Sequence, residues 1–242
     1  MIRIYHTSDL HDRRHIAEPL HRLRAQRPGL LVDCGDALRG SQTVYYRNEP
    51  IVDAIDAAGY DVQAIGNREF HYLFGAVRAR LGRMRHPIVC ANLVDTRGRP
   101  LPFAADRELR GLDGEPLRFF GLLVPQYPAG SPWERVFGWR FLDPYAVAAE
   151  MARTTPPGVT LIALSHLGLR ADRELAARVG RLDLILGGHS HDTLAEPEYV
   201  GGVPIVHAGP YGAYASRTEL ERDGERARIT GFALESLTAV PA

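Results

Sequence analysis

The sequence predicts an α/β protein built on a pair of mixed β-sheets flanked by helices. Three observations carry that prediction. Short apolar runs alternate with helical-period segments through the first two thirds of the chain, the pattern of strand–helix–strand units. Five of the apolar runs end in a Gly, Ser or Thr followed by Asp, Asn or His, so polar side chains gather at strand C-termini, where α/β proteins place their ligands. The final stretch loses its helical period and reads as hairpins around Arg222-Asp223-Gly224.

The elements follow in order. Ile2–Thr7 reads as the first strand, followed by a helix from about His15 to Gln26. Gly29–Cys34 is a second strand whose unbroken apolar character implies burial on both faces. Glu49–Ala58 carries Ile51, Val52, Ile55 and Ala58 at helical spacing, with Gly59 as its stop. Asp61–Ile65 is the third strand, Gly75–Met84 a helix and His86–Ala91 a strand. After the turn-rich Arg110–Gly114, Leu117–Val124 is another strand. Pro125–Trp139, dense in Pro, Gly and aromatics, reads as an ordered surface excursion. Helices are predicted at Asp143–Ala152 and Ala171–Val179, and strands at Thr160–Ser165 and Leu182–Leu186. Val203–His207, Ala213–Glu221 and Ala227–Leu234 read as antiparallel β-structure. No repeat or linker divides the chain, so one domain over 1–242 is expected.

Composition bounds the function. With 29 basic and 29 acidic residues the formal net charge is +0, which gives no reason to expect duplex nucleic acid or an acidic membrane as partner. Every strong base is Arg, a bias attributed to genome composition or habitat in preference to a phosphate-binding role. The N-terminus enters the first strand without an apolar signal core, and no stretch approaches the ~20 apolar residues of a membrane span, so a cytoplasmic location is expected. Cys34 and Cys90 lie in or beside apolar runs and read as buried, unpaired thiols, not as ligands.

The polar strand ends are Ser8-Asp9-Leu10-His11, Gly35-Asp36, Gly66-Asn67-Arg68-Glu69, Ser165-His166 and Gly188-His189-Ser190-His191. Their donors (Asp9, His11, Asp36, Asn67, His166, His189 and His191) suffice to hold two divalent ions. Carboxylate, imidazole and amide oxygen together suit Mn, Fe, Zn, Co or Ni and not an all-oxygen Ca site; Mn is favoured. A lone histidine is more often a packed core group, and that reading is kept for His6 and His207, which fall inside strands. Arg13-Arg14-His15 reads either as a solvated helix start or as a face toward an anionic substrate.

These blocks resemble the metallophosphoesterase domain of the 5′-nucleotidase family of calcineurin-like phosphatases, whose motifs run Asp-x-His, Gly-Asp, Gly-Asn-His-Glu, a lone His and Gly-His-x-His. The likeness extends through Leu31–Ser41, Glu49–Phe70, Cys90–Leu93 and Ala208–Gly212, so it covers nearly the whole chain. It implies a four-layer α-β-β-α sandwich. It further implies one metal ion on Asp9, His11 and His191, a second on Asn67, His166 and His189, and Asp36 bridging both. The implied activity is hydrolysis of small phosphate esters by in-line attack of a metal-activated hydroxide.

Two departures stand out. Family members carry His where this chain has Arg68, paired with an Asp three positions later, where this chain has His71. A guanidinium can stabilise phosphoryl charge but cannot deliver a proton at neutral pH. His71 is then the candidate acid. Activated leaving groups, or an unusual ester such as a sulfur-linked one, become the expected substrates, and a weakly active metal- and anion-binding module is a further alternative. In the alternative structural reading, Arg68 pairs with Glu69 or Asp61. The second departure is length, since typical 5′-nucleotidases add a C-terminal domain that clamps the base, and this chain is expected to lack it. Tyr45-Tyr46, Tyr127–Trp139 and Tyr211–Tyr214 are candidates for a substrate rim or for a homo-oligomer contact.

Overall fold

In the computed structural model, which describes residues 1–224 and 226–238, two six-stranded sheets pack face to face and carry helices on their outer faces. Position 225 and the last four residues of the expected 1–242 domain lie outside the described residues.

The first sheet comprises β1 (Ile2–Thr7), β2 (Leu30–Asp33), β3 (Val62–Ala64), β4 (Ile88–Val89), β13 (Tyr214–Asp223) and β14 (Arg226–Ser236), in the order β14-β13-β1-β2-β3-β4. Strands β1 to β4 run parallel, with Thr7 beside Asp33 and Asp33 beside Gln63, while β13 and β14 close one edge as an antiparallel hairpin. The second sheet comprises β6 (Asp106–Arg110), β7 (Pro116–Leu123), β9 (Thr160–His166), β10 (Leu184–Gly187), β11 (Glu198–Val200) and β12 (Val203–His207), in the order β11-β12-β10-β9-β7-β6. Here β7, β9, β10 and β12 are parallel and the two edge strands antiparallel.

Side-chain alternation builds the layers. Ile2 and Ile4 of β1 meet Ile162 and Leu164 of β9 in a core between the sheets, joined by Val32, Val62, Phe119 and Leu186. Tyr5 and Leu31 point the other way, against α1 (Ala17–Gln26) and α2 (Ile51–Ala58), where Leu20, Ile51 and Ile55 are buried. Leu161, Ala163 and Ile185 face α5 (Pro144–Thr154) and α6 (Leu169–Arg178) through Ala148, Leu175 and Ala176. The result is the α-β-β-α sandwich that the resemblance implied.

Helix boundaries have local causes. Gly59 stops α2 in the left-handed region (φ 71°), and Asp143 caps α5 by accepting the N–H of Tyr145 and Ala146. The first predicted helix instead opens with a 3-10 turn at Arg14–Ile16 before α1, and α3 (Phe74–Leu81) stops short of the predicted Met84. The antiparallel reading of Val203–His207 holds on one side only: β12 pairs antiparallel with the edge strand β11 and parallel with β10, and its continuous burial is the mark of an interior strand. Within Pro125–Trp139 lies a short helix, α4 (Pro132–Phe137), followed by β8 (Trp139–Phe141), which pairs with β5 (Leu93–Asp95). No helix among the described residues is long and apolar enough to cross a membrane.

Candidate metal centre

The C-terminal ends of the parallel strands in both sheets open onto one cleft between the sheets. β1 delivers Asp9 and His11, β2 Asp36, β3 Asn67, β9 His166, and β10 His189 and His191. The loops that carry them are bent sharply. Asp9 (φ 53°), His11 (φ 47°), Asp36 (φ 60°), His189 (φ 77°) and His191 (φ 61°) all adopt left-handed backbone, uncommon for non-glycine residues and worth on the order of 1–3 kcal/mol of strain each. Such strain persists only where the surroundings over-determine it.

Two glycines explain the tight turns. Gly35 (φ 94°) and Gly66 lie back to back. A Cβ on Gly35 would stand 2.5 Å from the Gly66 nitrogen, and one on Gly66 would stand 2.3 Å from the Asp36 nitrogen. Glu69, fully buried, staples the same loops: its carboxylate accepts backbone N–H groups of Asp36 (2.8 Å), Ala37 (2.9 Å), Leu38 (3.2 Å) and Gly66 (2.9 Å). Backbone bonds from Asp9 N–H to the Gly35 carbonyl (2.9 Å) and from His11 N–H to the Asp36 carbonyl (3.0 Å) tie the first loop to the second.

Two donor triads result, one of Asp9, His11 and His191, the other of Asp9, Asp36 and His166, with the donor atoms of each within 4.8 Å of one another. Asp9 is common to both. In the first, His11 Nε2 lies 2.9 Å from His191 Nε2, and His191 Nε2 lies 3.5 Å from Asp9 Oδ1. In the second, His166 Nε2 lies 3.3 Å from Asp36 Oδ1. Donors bound at about 2.1 Å to one cation stand roughly 3.0–3.4 Å apart, so these spacings suit a shared ion. His189 and Asn67 flank the second triad: the His189 ring lies 5.0 Å from that of His166, and Asn67 Nδ2 donates to His189 Nδ1 at 3.3 Å.

The hydrogen bonding of His166 is a direct test of fit. Its Nδ1 lies 2.7 Å from the Cys34 carbonyl, which can only accept, so Nδ1 carries the proton. Nε2 is buried without a hydrogen-bond partner, its lone pair aimed among carboxylates. That arrangement is how a protein presents a histidine to a metal. With no ion bound, burial opposes a charge on His166, but the Asp36 carboxylate beside it overrides burial and lifts its pKa to about 10, so a proton on Nε2 takes the place that a metal ion would fill. Burial alone would raise Asp36, yet His166 holds it down at about 2. The pocket therefore favours positive charge at this point. On the opposite side His11 is driven down to about 4, by burial first and then by the Arg68 guanidinium. His189 is likewise lowered, by burial and then by His166.

Arg68 projects over this cluster. Its Nε lies 3.8 Å from Asp36 Oδ2, its backbone N–H donates to Asp36 Oδ1 (2.8 Å), and its Nη1 donates to the carbonyls of Arg39 (3.0 Å) and Gly40 (3.3 Å). The alternative pairing with Glu69 or Asp61 is not adopted: Glu69 is occupied by backbone groups, and Asp61 pairs with Arg24. His71 makes other contacts. Its Nδ1 accepts the Leu73 N–H at 2.9 Å, and its pKa is lowered by burial and by Arg80. Among the described residues no bond or ring contact joins it to Arg68 or to the donors.

Sequence reasoning passed over several supporting groups. Gln126, beyond β7, donates Nε2 to Asn67 Oδ1 at 3.0 Å, and Gln42 donates to Gln126 in turn at 3.0 Å. Tyr211, one of the rim candidates of the sequence, packs its ring 5.4 Å from those of both His11 and His191, with the Arg13 guanidinium over that ring. Behind the cleft, buried Asp172 accepts from Ser165, the neighbour of His166, and from His207 Nε2 (2.8 Å), bracing the ends of β9 and β12. No signal short of the fold marks Gln42, Gln126 or Asp172, because each acts through a partner distant in sequence. His6 and His207 are buried strand residues, as read, and the Cys34 thiol bonds the Leu186 carbonyl at 3.1 Å, apart from the donors.

Comparison with known proteins finds relatives among metallophosphoesterases and 5′-nucleotidases. An uncharacterized metallophosphoesterase, YunD, of Bacillus subtilis (strain 168) is 28% identical over 242 residues, which cover 94% of this chain and 52% of that protein. A 5′-nucleotidase of Diplobatis ommata is 29% identical over 192 residues, 75% of this chain and 32% of the relative. The chain thus spans about half the length of the first relative, 52%, and less of the second. Among solved structures, a 5′-nucleotidase precursor from Thermus thermophilus superposes with a TM-score of 0.77 at 24% identity, over 97% of this chain and 54% of that one. The pattern of the calcineurin-like phosphoesterases matches residues 2–193, and with most of its length matched this chain belongs to that family.

Proposed function

We propose that this chain is a hydrolase of small phosphate esters, nucleotide-like monoesters foremost, dependent on two divalent ions with Mn the first candidate. Asp9, His11 and His191 would hold one ion, Asn67, His166 and His189 the other, with the carboxylates of Asp36 and Asp9 between them. The observation that carries this reading is the buried, unpartnered Nε2 of His166 facing Asp36 at 3.3 Å, beside a second donor triad that shares Asp9. Bound divalent ions would supply an activated water and positive charge opposite the phosphoryl oxygens.

The chain's own residues do the rest. Asp9 and Asp36 concentrate negative charge at the cleft floor, while Arg68 is positioned to balance charge on the phosphoryl group as it transfers. Its Nη1 is tethered to two backbone carbonyls, so the guanidinium is held in place before substrate arrives. His71 Nδ1 is taken up by the Leu73 N–H, so we assign the leaving oxygen's proton to solvent, which favours good leaving groups. The 5′-nucleotidases among its relatives support a nucleotide substrate. Cys34 and Cys90, unpaired and buried, suit the reducing cytoplasm in which we place the enzyme.

The test is hydrolysis of mono- and bis-aryl phosphates by metal-free protein and after addition of Mn, Co, Zn, Ni or Mg in turn. Metal-dependent release is expected, and the preferred ester separates monoesterase from diesterase. Protein that holds two ions by elemental analysis yet releases nothing would overturn the reading.

A further inference from the structure

Beside the metal centre lies a second cavity of about 370 Å³, lined by Thr43, Tyr72, Gln126, Tyr127, Trp133 and Phe137. Its wall is a series of nearly parallel rings. Trp133 and Phe137 stand one turn apart on α4 and stack at 5.7 Å and 16°. Phe137 stacks on Tyr72 at 4.7 Å and 27°, and Tyr72 lies 6.3 Å from Tyr127 at 19°. The inner rings are locked: the Tyr127 hydroxyl donates to the Trp139 carbonyl (2.8 Å), and Trp139 Nε1 donates to the Tyr72 carbonyl (3.1 Å). The outer ring is open, with Trp133 53% exposed. An indole left in water at the head of a rigid aromatic series has a free face for a flat partner.

Gln126 connects this cavity to the chemistry. It lines the pocket, and its Nε2 donates to Asn67 Oδ1 at 3.0 Å. An ester with its phosphoryl group among the donors would therefore direct its leaving group past Gln126 onto the rings. Parallel ring faces suit a planar group over an aliphatic chain; the Thr43 hydroxyl suits a ring nitrogen or oxygen at its edge, and the lone pair that Gln42 leaves on Gln126 Oε1 suits an amino group.

We propose that this pocket is a subsite for the heteroaromatic base of a nucleoside monophosphate, built from the loops of this domain itself. The proposal rests on the phosphoesterase reading above and refines its substrate class.

AMP and ribose 5-phosphate expel the same 5′-oxygen and differ only in the base, so the ratio of their kcat/KM values isolates the subsite. The metal-reconstituted chain is expected to prefer AMP at least tenfold, Trp133→Ala to reduce that preference about tenfold, and Trp133→Phe to keep most of it. Equal treatment of the two esters by the unmodified chain, or a preference that survives Trp133→Ala, overturns the subsite. If neither ester is hydrolysed with any metal, the phosphoesterase reading fails, and fluorescence judges the pocket separately. Of the two tryptophans Trp139 is buried, so saturable quenching by adenosine that Trp133→Phe removes supports the subsite, and no quenching overturns it. A dimer that Trp133→Ala dissolves, with the ester preference untouched, assigns the face to a subunit contact and likewise overturns it.

Discussion

The Glu69 carboxylate accepts the backbone N–H of Asp36 at 2.8 Å, across a gap of 33 residues in sequence, and so fixes the loop that bears a donor of the second triad. The same side chain binds N–H groups of Ala37, Leu38 and Gly66. Glu69→Gln puts an amide NH₂ where an acceptor is needed, and two N–H groups must then face a donor. The expected cost is about 2–4 kcal/mol of stability. Urea unfolding of metal-free protein measures it, and a loss under about 0.5 kcal/mol would show that the loops hold themselves.

Sharing of Asp9 between the two triads has consequences for metal stoichiometry. Asp9→Asn is expected to lower affinity for both ions together, whereas Asn67→Ala, which touches only the His189 side, lowers mainly one. Elemental analysis after dialysis at limiting metal distinguishes the patterns. Retention of one full equivalent by Asp9→Asn would restrict Asp9 to a single ion and leave Asp36 as the sole bridge.

Gln126 acts through Asn67. Its Nε2 is held by the Val124 carbonyl (2.8 Å) as well as by Asn67 Oδ1, and a carbonyl oxygen has a second lone pair left for a cation. Gln126→Leu keeps the volume and removes the donor, so one ion is expected to bind about tenfold more weakly. Titration with Mn, followed by its electron paramagnetic resonance, reads this out. Unchanged affinity would mean that Asn67 needs no such support.

Much of this centre was legible before the fold, and the reason is local. Asp9, Asp36, Asn67, His166 and His189 follow directly on apolar runs, and a run that ends in Gly-Asp or Gly-Asn has few ways to turn. The unread parts are those that depend on distant partners. β5 and β8 are three residues each and have no period to detect, and Asp106–Arg110 forms β6 only because β7 offers it an edge. α4 spans six residues among prolines and aromatics, too short for helical spacing to register. His71 shares its segment with Arg68, yet its ring is turned toward Leu73, a rotation that the motif does not encode.

Arg68 is expected to act on rate and not on metal content. Its guanidinium lies 3.8 Å from Asp36, with Nη1 held by the carbonyls of Arg39 and Gly40. Arg68→Ala should lower kcat on an aryl phosphate about 10²-fold, the usual range for loss of one group that stabilises transition-state charge, with ion stoichiometry unchanged. Loss of an ion in parallel with the rate would reassign Arg68 to holding the Asp36 loop.

His86 gives the fold a pH dependence that can be separated from the metal centre. Its Nε2 bonds Gln63 Oε1 at 2.8 Å, and its Nδ1 is buried without a partner. Burial lowers its pKa from 6.5 to about 4, against a smaller opposing pull from Asp56. The unfolded chain therefore takes up this proton near pH 6.5, while the folded chain resists until about pH 4. Its contribution to stability is complete above pH 6.5 and is lost as pH falls from there toward 4, by on the order of 2 kcal/mol. His6, fully buried and lowered to about 3, works in the same direction. Unfolding free energies of metal-free protein at intervals from about pH 7.5 to 4.5 should fall more steeply for the unmodified chain than for His86→Gln, whose amide can still meet Gln63. Parallel curves for the two proteins would show that His86 is solvated well enough to titrate freely in the folded state.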